Sequence, residues 1–434
     1  MLRPHVVILG AGFGGTYVAK SLIDRVKKGE IDLTIVNRTN YFLFTPLLHE
    51  VATGSLSPRN VAEPLREIFV HTGVRIVQGS VDSINAGERT VTIRDNGSTH
   101  SIPYDYLVIA LGAETNYYGI PGAAELTLPL KSLADAAAVR NRIIDSFERA
   151  ILASDQAERK AILSFAVVGG GPTGVELAAE LSEFVQGMVK RYYDGSNCRA
   201  DDPRKCGPEE PTITLVNAGK ELLEMFKPEL RTAALDRLQK NGVIVRSSTA
   251  VTNVTRSGMT TAAGDPIPAS TIIWTAGVKA IVPHFSDIKP TLMGGRLSVD
   301  SYFRLLGNDR IFVLGDAAAY VDVHDFQKDS ANTRPLPMLA QVAEAQSGIV
   351  ARNVMASIDQ KQLRDFHYHS QGSMVSVGQW FAIGEIFSMK LAGRFTWWLW
   401  RTVYLFKFAS WRKRVRIALE WAYELISPRD ITKL

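Results

Sequence analysis

Val6-Val7-Ile8-Leu9-Gly10-Ala11-Gly12-Phe13-Gly14-Gly15 opens the chain. Phe165-Ala166-Val167-Val168-Gly169-Gly170-Gly171-Pro172-Thr173-Gly174 repeats its plan about 160 residues later, as an internal repeat does. In each copy an apolar, strand-like run feeds a G-x-G-x-x-G turn, and a helix-like run follows. That context gives the motif its meaning. The glycines allow a tight turn and let backbone approach a pyrophosphate, whose charge is met by the helix N-terminus. One such turn holds one dinucleotide. Two in one chain imply two dinucleotides, and hydride transfer is the chemistry that brings such a pair together.

Composition agrees. The 434 residues leave room for two or three domains. Apolar residues at 46% and charged residues at 21% describe an ordinary globular chain. The two cysteines, Cys198 and Cys206, exclude a disulfide scaffold and suit a reducing compartment. They stand in the polar stretch Arg191 to Pro211, which reads as a surface loop inserted in the second repeat. The first strand begins within a few residues of Met1, so no leader is expected. No long uncharged apolar run offers a simple membrane span. Neither the mild net charge of +5 nor any motif points to nucleic acid.

The first repeat reads as strand His5–Leu9, helix Thr16–Lys27 and strand Leu33–Val36. Asn37, followed by Arg38, stands where a ribose-binding acid is usual; it still hydrogen bonds, without the strength of a carboxylate. Tyr106 to Gly112 is a buried strand ending in glycine, and Thr271 to Gly277 repeats that ending. The second repeat has its helix from about Gly174 to Met188, and Asn217 at the end of its second strand. Arg310 to Ala318 delivers Gly315-Asp316 from a buried strand into alanines that begin a helix. In the helix Ala340–Gln346, Gln341 and Gln346 lie five positions apart and so diverge. His367 and His369 have no cysteine or carboxylate cluster with them, and no metal site is expected.

The segments together resemble the type II NADH dehydrogenases, single-subunit NADH:quinone oxidoreductases of the two-dinucleotide-binding-domain flavoproteins. The broad likeness rests on Gly10–Gly15, Gly169–Gly174, Gly112, Gly277 and Gly315-Asp316. The narrower likeness rests on Asn40 to Gly54 (NYFLFTPLLHEVATG), Gly170 to Glu176 (GGPTGVE), Ala340 to Gln346 (AQVAEAQ) and the Trp- and Arg-rich tail from Gly372 to Trp421. A sulfide:quinone oxidoreductase shares the fold but uses cysteines near its flavin; here both lie in the polar insertion.

This resemblance implies an α/β fold with two Rossmann-like domains, for FAD and NAD, and a C-terminal helical membrane-associating segment. Residues 1–115 and 290–365 would form the FAD domain, 116–289 the NAD(P)H domain, and 366–434 the membrane-anchoring and quinone-site domain. Gly10, Gly12, Phe13, Gly14 and Gly15 would cradle FAD, with Asn37 and Arg38 at its ribose, the backbone near Val81 at its adenine, and Asp316 on its ribitol. Thr45, Pro46, Ala110, Gly112 and the start of the Gln341 helix would flank the flavin ring. Gly169, Gly171, Thr173, Gly174, Asn217 and Gly277 would hold NADH, or NADPH, since Asn217 with Lys220 nearby does not repel a 2′-phosphate. Glu176 would stand near the nicotinamide–flavin stack, and Gln341 and Gln346 on the quinone side, with Glu50 and Glu344 behind them as acid–base candidates.

The implied activity passes hydride from NADH to FAD and then two electrons to a membrane quinone, without proton pumping and without a metal. The alternatives are an NAD(P)H-dependent reductase of a naphthoquinone-type quinone, and a flavoprotein redox sensor or docking protein. The implied state is a homodimer lying peripherally on the cytoplasmic face of a membrane. The tail supports that placement: from Ile386 to Leu419 it has no acid, while Lys390, Arg394, Arg401, Lys407, Arg412, Lys413, Arg414 and Arg416 alternate with aromatics. Each cation near an anionic leaflet contributes roughly 1 kcal/mol, and Trp and Tyr favour the headgroup boundary.

Overall fold

A computed structural model describes residues 3–95, 97–193, 211–322, 334–386, 389–408, 411–425 and 427–433. Cys198 and Cys206 lie outside the described residues. The chain forms two compact units. The first comprises Met1–Leu43, Ala62–Glu114 and Val278–His369; the second comprises Phe44–Val61, Thr115–Gly277 and Ser370–Leu434. The apolar loop after Phe44 and the whole C-terminal segment thus belong to the unit that carries the second glycine turn.

The first unit is built on a parallel sheet in the order Ile311–Val313, Tyr106–Ile109, His5–Leu9, Asp32–Asn37, Arg75–Gln78. Its strands are near-continuous Val, Ile and Leu because both faces are covered. Val7, Leu9, Leu107, Ile109, Ile311 and Val313 share one core with Ile84 and Val91 of the neighbouring antiparallel strands. The first dinucleotide helix, Phe13–Lys27, packs along the helix Ala340–Ile358. Arg25 and Asp359, 2.7 Å apart, tie their far ends.

The second unit repeats this plan in the order Leu128–Pro129, Thr271–Trp274, Ser164–Val168, Thr212–Val216, Val243–Arg246, all parallel. In both sheets the strand before the glycine turn is central, and the strand ending in glycine lies beside it. The tail adds an antiparallel sheet, Ser373–Ser376, Ala382–Ile386 and Met389–Gly393, and two helices, Arg394–Lys407 and Trp411–Glu424.

The dinucleotide helices begin earlier than apolar periodicity suggests, at Phe13 and Pro172. Glycine and proline carry no amphipathic signal, yet proline in the first turn is preset for helical φ. The alanines after Asp316 do not begin a helix. Gly315–Ala317 is a single 3-10 turn, and Ala318–Ala319 is a short strand beside Leu297–Ser298. Small side chains let that strand lie flat in the core, where Ala317 and Ala318 are fully buried.

Candidate functional site

The two glycine turns are built alike. Gly10 and Gly169 have φ of +95° and +122°, and their N–H groups donate to the Val36 and Val216 carbonyls at 2.8 Å. A Cβ on Gly15 would stand 1.9 Å from the Gly10 carbonyl oxygen, and one on Gly174 would stand 1.8 Å from that of Gly169. These positions accept no side chain. Gly12 and Gly171 are exposed, and a Cβ on either would meet nothing within 4 Å. They face open space at the helix N-terminus. Neither helix has a side-chain cap or an acid in its first turn. Such N–H donors suit a pyrophosphate, so both turns fit the phosphates of a dinucleotide.

Asn37 and Asn217 have matching duties. Asn37 Oδ1 accepts from the Ala11 N–H at 2.9 Å, and its Nδ2 donates to the Thr39 carbonyl at 2.8 Å. Asn217 Oδ1 accepts from the Gly170 N–H at 3.2 Å, and its Nδ2 donates to the Gly219 and Glu221 carbonyls. Both amides rigidify the turns. Arg38 and Lys220, both exposed, are the cations beside them.

Within the first unit, Gly14 fits against Leu314 and Ala110, and Phe13 meets Phe42 edge-on at 5.2 Å. Gly112 has φ +73°, and Val81 is half-buried against the core. Burial lowers the pKa of Arg296, which is 5% exposed, and Asp316 on the 3-10 turn offsets only part of that shift. Gln346 is fully buried; its Oε1 accepts from the Gly315 N–H at 2.7 Å and its Nε2 has no partner. A buried donor left open beside Gly315-Asp316 fits a polar cofactor edge there. Gln341 points elsewhere and donates to the Tyr368 hydroxyl at 2.6 Å. The divergence expected from their spacing is therefore real.

Within the second unit, Thr45 and Pro46 form a 3-10 turn, with Thr45 exposed, and the following helix Leu48–Ala52 is wholly buried. Thr173 is exposed at the second turn, and Gly277, at φ +70°, sits against the Tyr118 hydroxyl. Glu176 is 6% exposed and accepts from the Ser376 N–H at 3.2 Å; His49 Nδ1 lies 3.7 Å from it. Burial, with Glu50 and Glu180 nearby, holds its carboxyl well above the ordinary range despite the Ser376 N–H. Glu50 is raised to about 8 by burial, although Arg401 and the Trp421 indole, donating at 2.8 Å, oppose it. The same cause pushes His49 down to about 4, so its ring is neutral.

Other members of this buried cluster carry no motif. Burial would raise Glu180, but Arg429 foremost, with Arg401, outweighs it and holds its carboxylate below the usual range. Arg429 reaches Glu180, Glu183 and Glu424 from the end of the chain. Arg401 is sandwiched between Trp397 and Trp421, at 4.0 and 4.8 Å, and pairs with Glu424 at 3.1 Å. In the sequence Arg401 reads as a surface cation, and the structure corrects this: it is 5% exposed. The tail aromatics divide likewise. Trp397, Trp400 and Trp421 are core, while Phe395, Trp398, Phe406 and Trp411 are exposed. Among the described residues no helix is long and apolar enough to cross a membrane. The helical spacing of Glu176, Glu180 and Glu183 was a signal available in the sequence; Arg429 gave none.

Two parallel sheets, each with an open glycine turn at its central strand, define a two-nucleotide oxidoreductase class. Residues 4–347 match the pyridine nucleotide-disulphide oxidoreductase family, and residues 370–430 match the NDH2 C-terminal domain. The chain is 31% identical over 429 residues to the type II NADH:quinone oxidoreductase NdhA of Mycobacterium tuberculosis, covering 96% of this chain and 86% of that one. It is 30% identical to an internal alternative NAD(P)H-ubiquinone oxidoreductase of Arabidopsis thaliana, over 100% of this chain and 86% of the relative. The chain belongs to the type II NADH:quinone oxidoreductase family. In fold it is similar to NDH2 from Plasmodium falciparum in complex with NADH, with TM-score 0.88 and 21% identity over 100% of both chains. It is also similar to the sulfide:quinone oxidoreductase of Aquifex aeolicus, with TM-score 0.71 and 17% identity over 98% of this chain and 95% of that one.

Proposed function

We propose that this protein is an FAD-dependent NADH:quinone oxidoreductase that does not pump protons. The observation that carries the reading is the matched pair of uncapped glycine turns in a chain of this family. FAD, when bound, accepts hydride from NADH and passes two electrons to a quinone. The residues supply placement and proton control. Gly10, Gly12 and Gly15 hold the FAD pyrophosphate, Asp316 the ribitol chain, and the open Nε2 of Gln346 a polar edge of the cofactor. Gly169, Gly171 and Gly174 hold the nicotinamide dinucleotide. Glu176, whose burial favours the protonated form, holds a proton for the quinone oxygens.

Asn217 favours a secondary reading, in which NADPH also serves, because no carboxylate stands there to repel a 2′-phosphate. The exposed aromatic and cationic residues of the tail support a peripheral position on a membrane surface; we assign it to the cytoplasmic face and take a homodimer as the working form. The test is anaerobic stopped-flow of Glu176→Gln. Flavin bleaching by NADH should stay within a few-fold of wild type, while reoxidation by quinone falls about a hundredfold, as when general-acid assistance is lost. Equal loss of both half-reactions would contradict the role given to Glu176.

A further inference from the structure

Glu176, Glu180 and Glu183 follow one another by four and three residues on the helix Pro172–Tyr192. They form a stripe along one face about 10 Å long. At the Glu183 end is a cavity of about 190 Å³, bordered by Glu183, Gly187, Met188, Glu424, Pro428 and Arg429. Arg429 Nη2 hydrogen bonds to Glu180 and lies 3.5 Å from Glu183, so one guanidinium holds both carboxylates. At the other end His49 lies 3.7 Å from Glu176, and its buried Nε2 has no partner. Glu50, Glu176, Glu180, Glu183 and Glu424 stand around Arg401 and Arg429, with Arg237 beside Glu183. Five carboxyls against three guanidiniums leave negative charge in excess, and because unpaired buried charge is costly, Glu50, Glu176 and Glu183 are held above the ordinary range.

The reaction needs one proton from water. NADH, quinone and one proton give NAD⁺ and quinol; the hydride carries both electrons and one hydrogen, and the second hydrogen comes from solvent. We propose that the cavity behind Glu183 is where this solvent proton is taken up, and that Glu183 and Glu180 pass it to Glu176. Arg429 is a positioning residue that holds the first two carboxylates together; it gives up no proton itself. This rests on the reading of Glu176 as the group that serves the quinone.

Around Glu183 stand Glu180 on its own helix, Arg237 at 3.6 Å, Arg429 from the tail, and the Gln379 N–H at 2.8 Å. Asn241 Nδ2 also donates to it, and Glu424 and Tyr192 border the same cavity. Burial and Glu180 raise its carboxyl to about 7, suiting it to exchange with water at neutral pH.

Two variants test the route. Glu183→Gln removes the first carboxyl. Gly187→Leu projects a side chain into the cavity and removes no charged group, and a Cβ at Gly187 meets nothing within 4 Å. In stopped-flow with ubiquinone-1, both should bleach with NADH at the wild-type rate. Both should reoxidise about tenfold more slowly, with a larger solvent deuterium effect and a deficit that widens above pH 7. Wild-type reoxidation in both variants across pH 6–9 would overturn the route. If Glu176→Gln is slowed while both are not, the route alone fails; if Glu176→Gln is not slowed, the underlying reading fails.

Discussion

The two glycine turns are nearly superimposable in design, yet the helices that follow carry different residues. Seven, eleven and fourteen positions after the first glycine, the first unit has Tyr17, Ser21 and Asp24, with Ser21 and Asp24 exposed. The second has Glu176, Glu180 and Glu183 at the same offsets, the first two buried beneath the tail segment and the helix that holds His49. A glycine turn is a general device for phosphate. The face of the helix behind it is where each unit becomes particular. One copy is left to hold a cofactor, and the other is loaded with acids that hold protons.

The sharpest way to break this comparison is to spoil each turn in the same manner. Gly15→Ala and Gly174→Ala each drive a Cβ into a carbonyl oxygen, at 1.9 and 1.8 Å. Gly15→Ala should lose flavin, purify colourless and lose more than about a hundredfold in quinone turnover, as a cofactor-free enzyme must. Gly174→Ala should stay yellow, with its loss confined to NADH, seen as a raised KM and slow flavin bleaching. The same phenotype from both would mean that the turns do not have separate ligands.

A second contrast concerns pH. Glu50 binds a proton in the folded state up to about pH 8, whereas an unfolded glutamate loses it near its ordinary pKa. Where the native state holds the extra proton, stability falls as pH rises, by up to about 1.4 kcal/mol per pH unit. The stabilisation is complete at low pH and gone above pH 8. Thermal melts from pH 5 to 9 should slope downward, and Glu50→Gln should flatten that slope. An unchanged slope would show that the cluster does not hold this proton.

A third contrast separates the two asparagines. Asn217→Glu should cut kcat/KM for NADPH at least about tenfold more than for NADH, through repulsion of the 2′-phosphate. Asn37→Glu should leave the ratio unchanged. If the wild type does not use NADPH at all, another group excludes it and the role given to residue 217 is wrong.

The smallest effect is expected at the tail surface. Replacing exposed Phe406 and Trp411 with serine should weaken binding to anionic vesicles several-fold while flavin remains bound. Truncating the tail is a poorer test, because Trp421 and Arg429 reach Glu50 and Glu180 and so belong to the interior of the second unit.

The fold was legible because its strongest signals are local: an apolar strand, a glycine turn and a helix, stated twice. Asp316, Gln341 and Gln346 stand as candidates because each lies in a short motif. The buried ionic cluster was not found as a unit. Glu180 and Glu183 look in sequence like a solvated helix face, and only long-range packing of the tail covers them. Arg401 reads as a surface cation because a string does not show that Trp397 and Trp421 close over it. The apolar stretch after Phe44 signals burial in its sequence, but not which unit buries it.

The most direct test of the central claim is an anaerobic titration of the purified, full-length protein. The account predicts one acid-releasable FAD per chain, bleached by one equivalent of NADH and fully restored by one equivalent of ubiquinone-1. A colourless folded protein, or a bound flavin that NADH does not bleach, would contradict it.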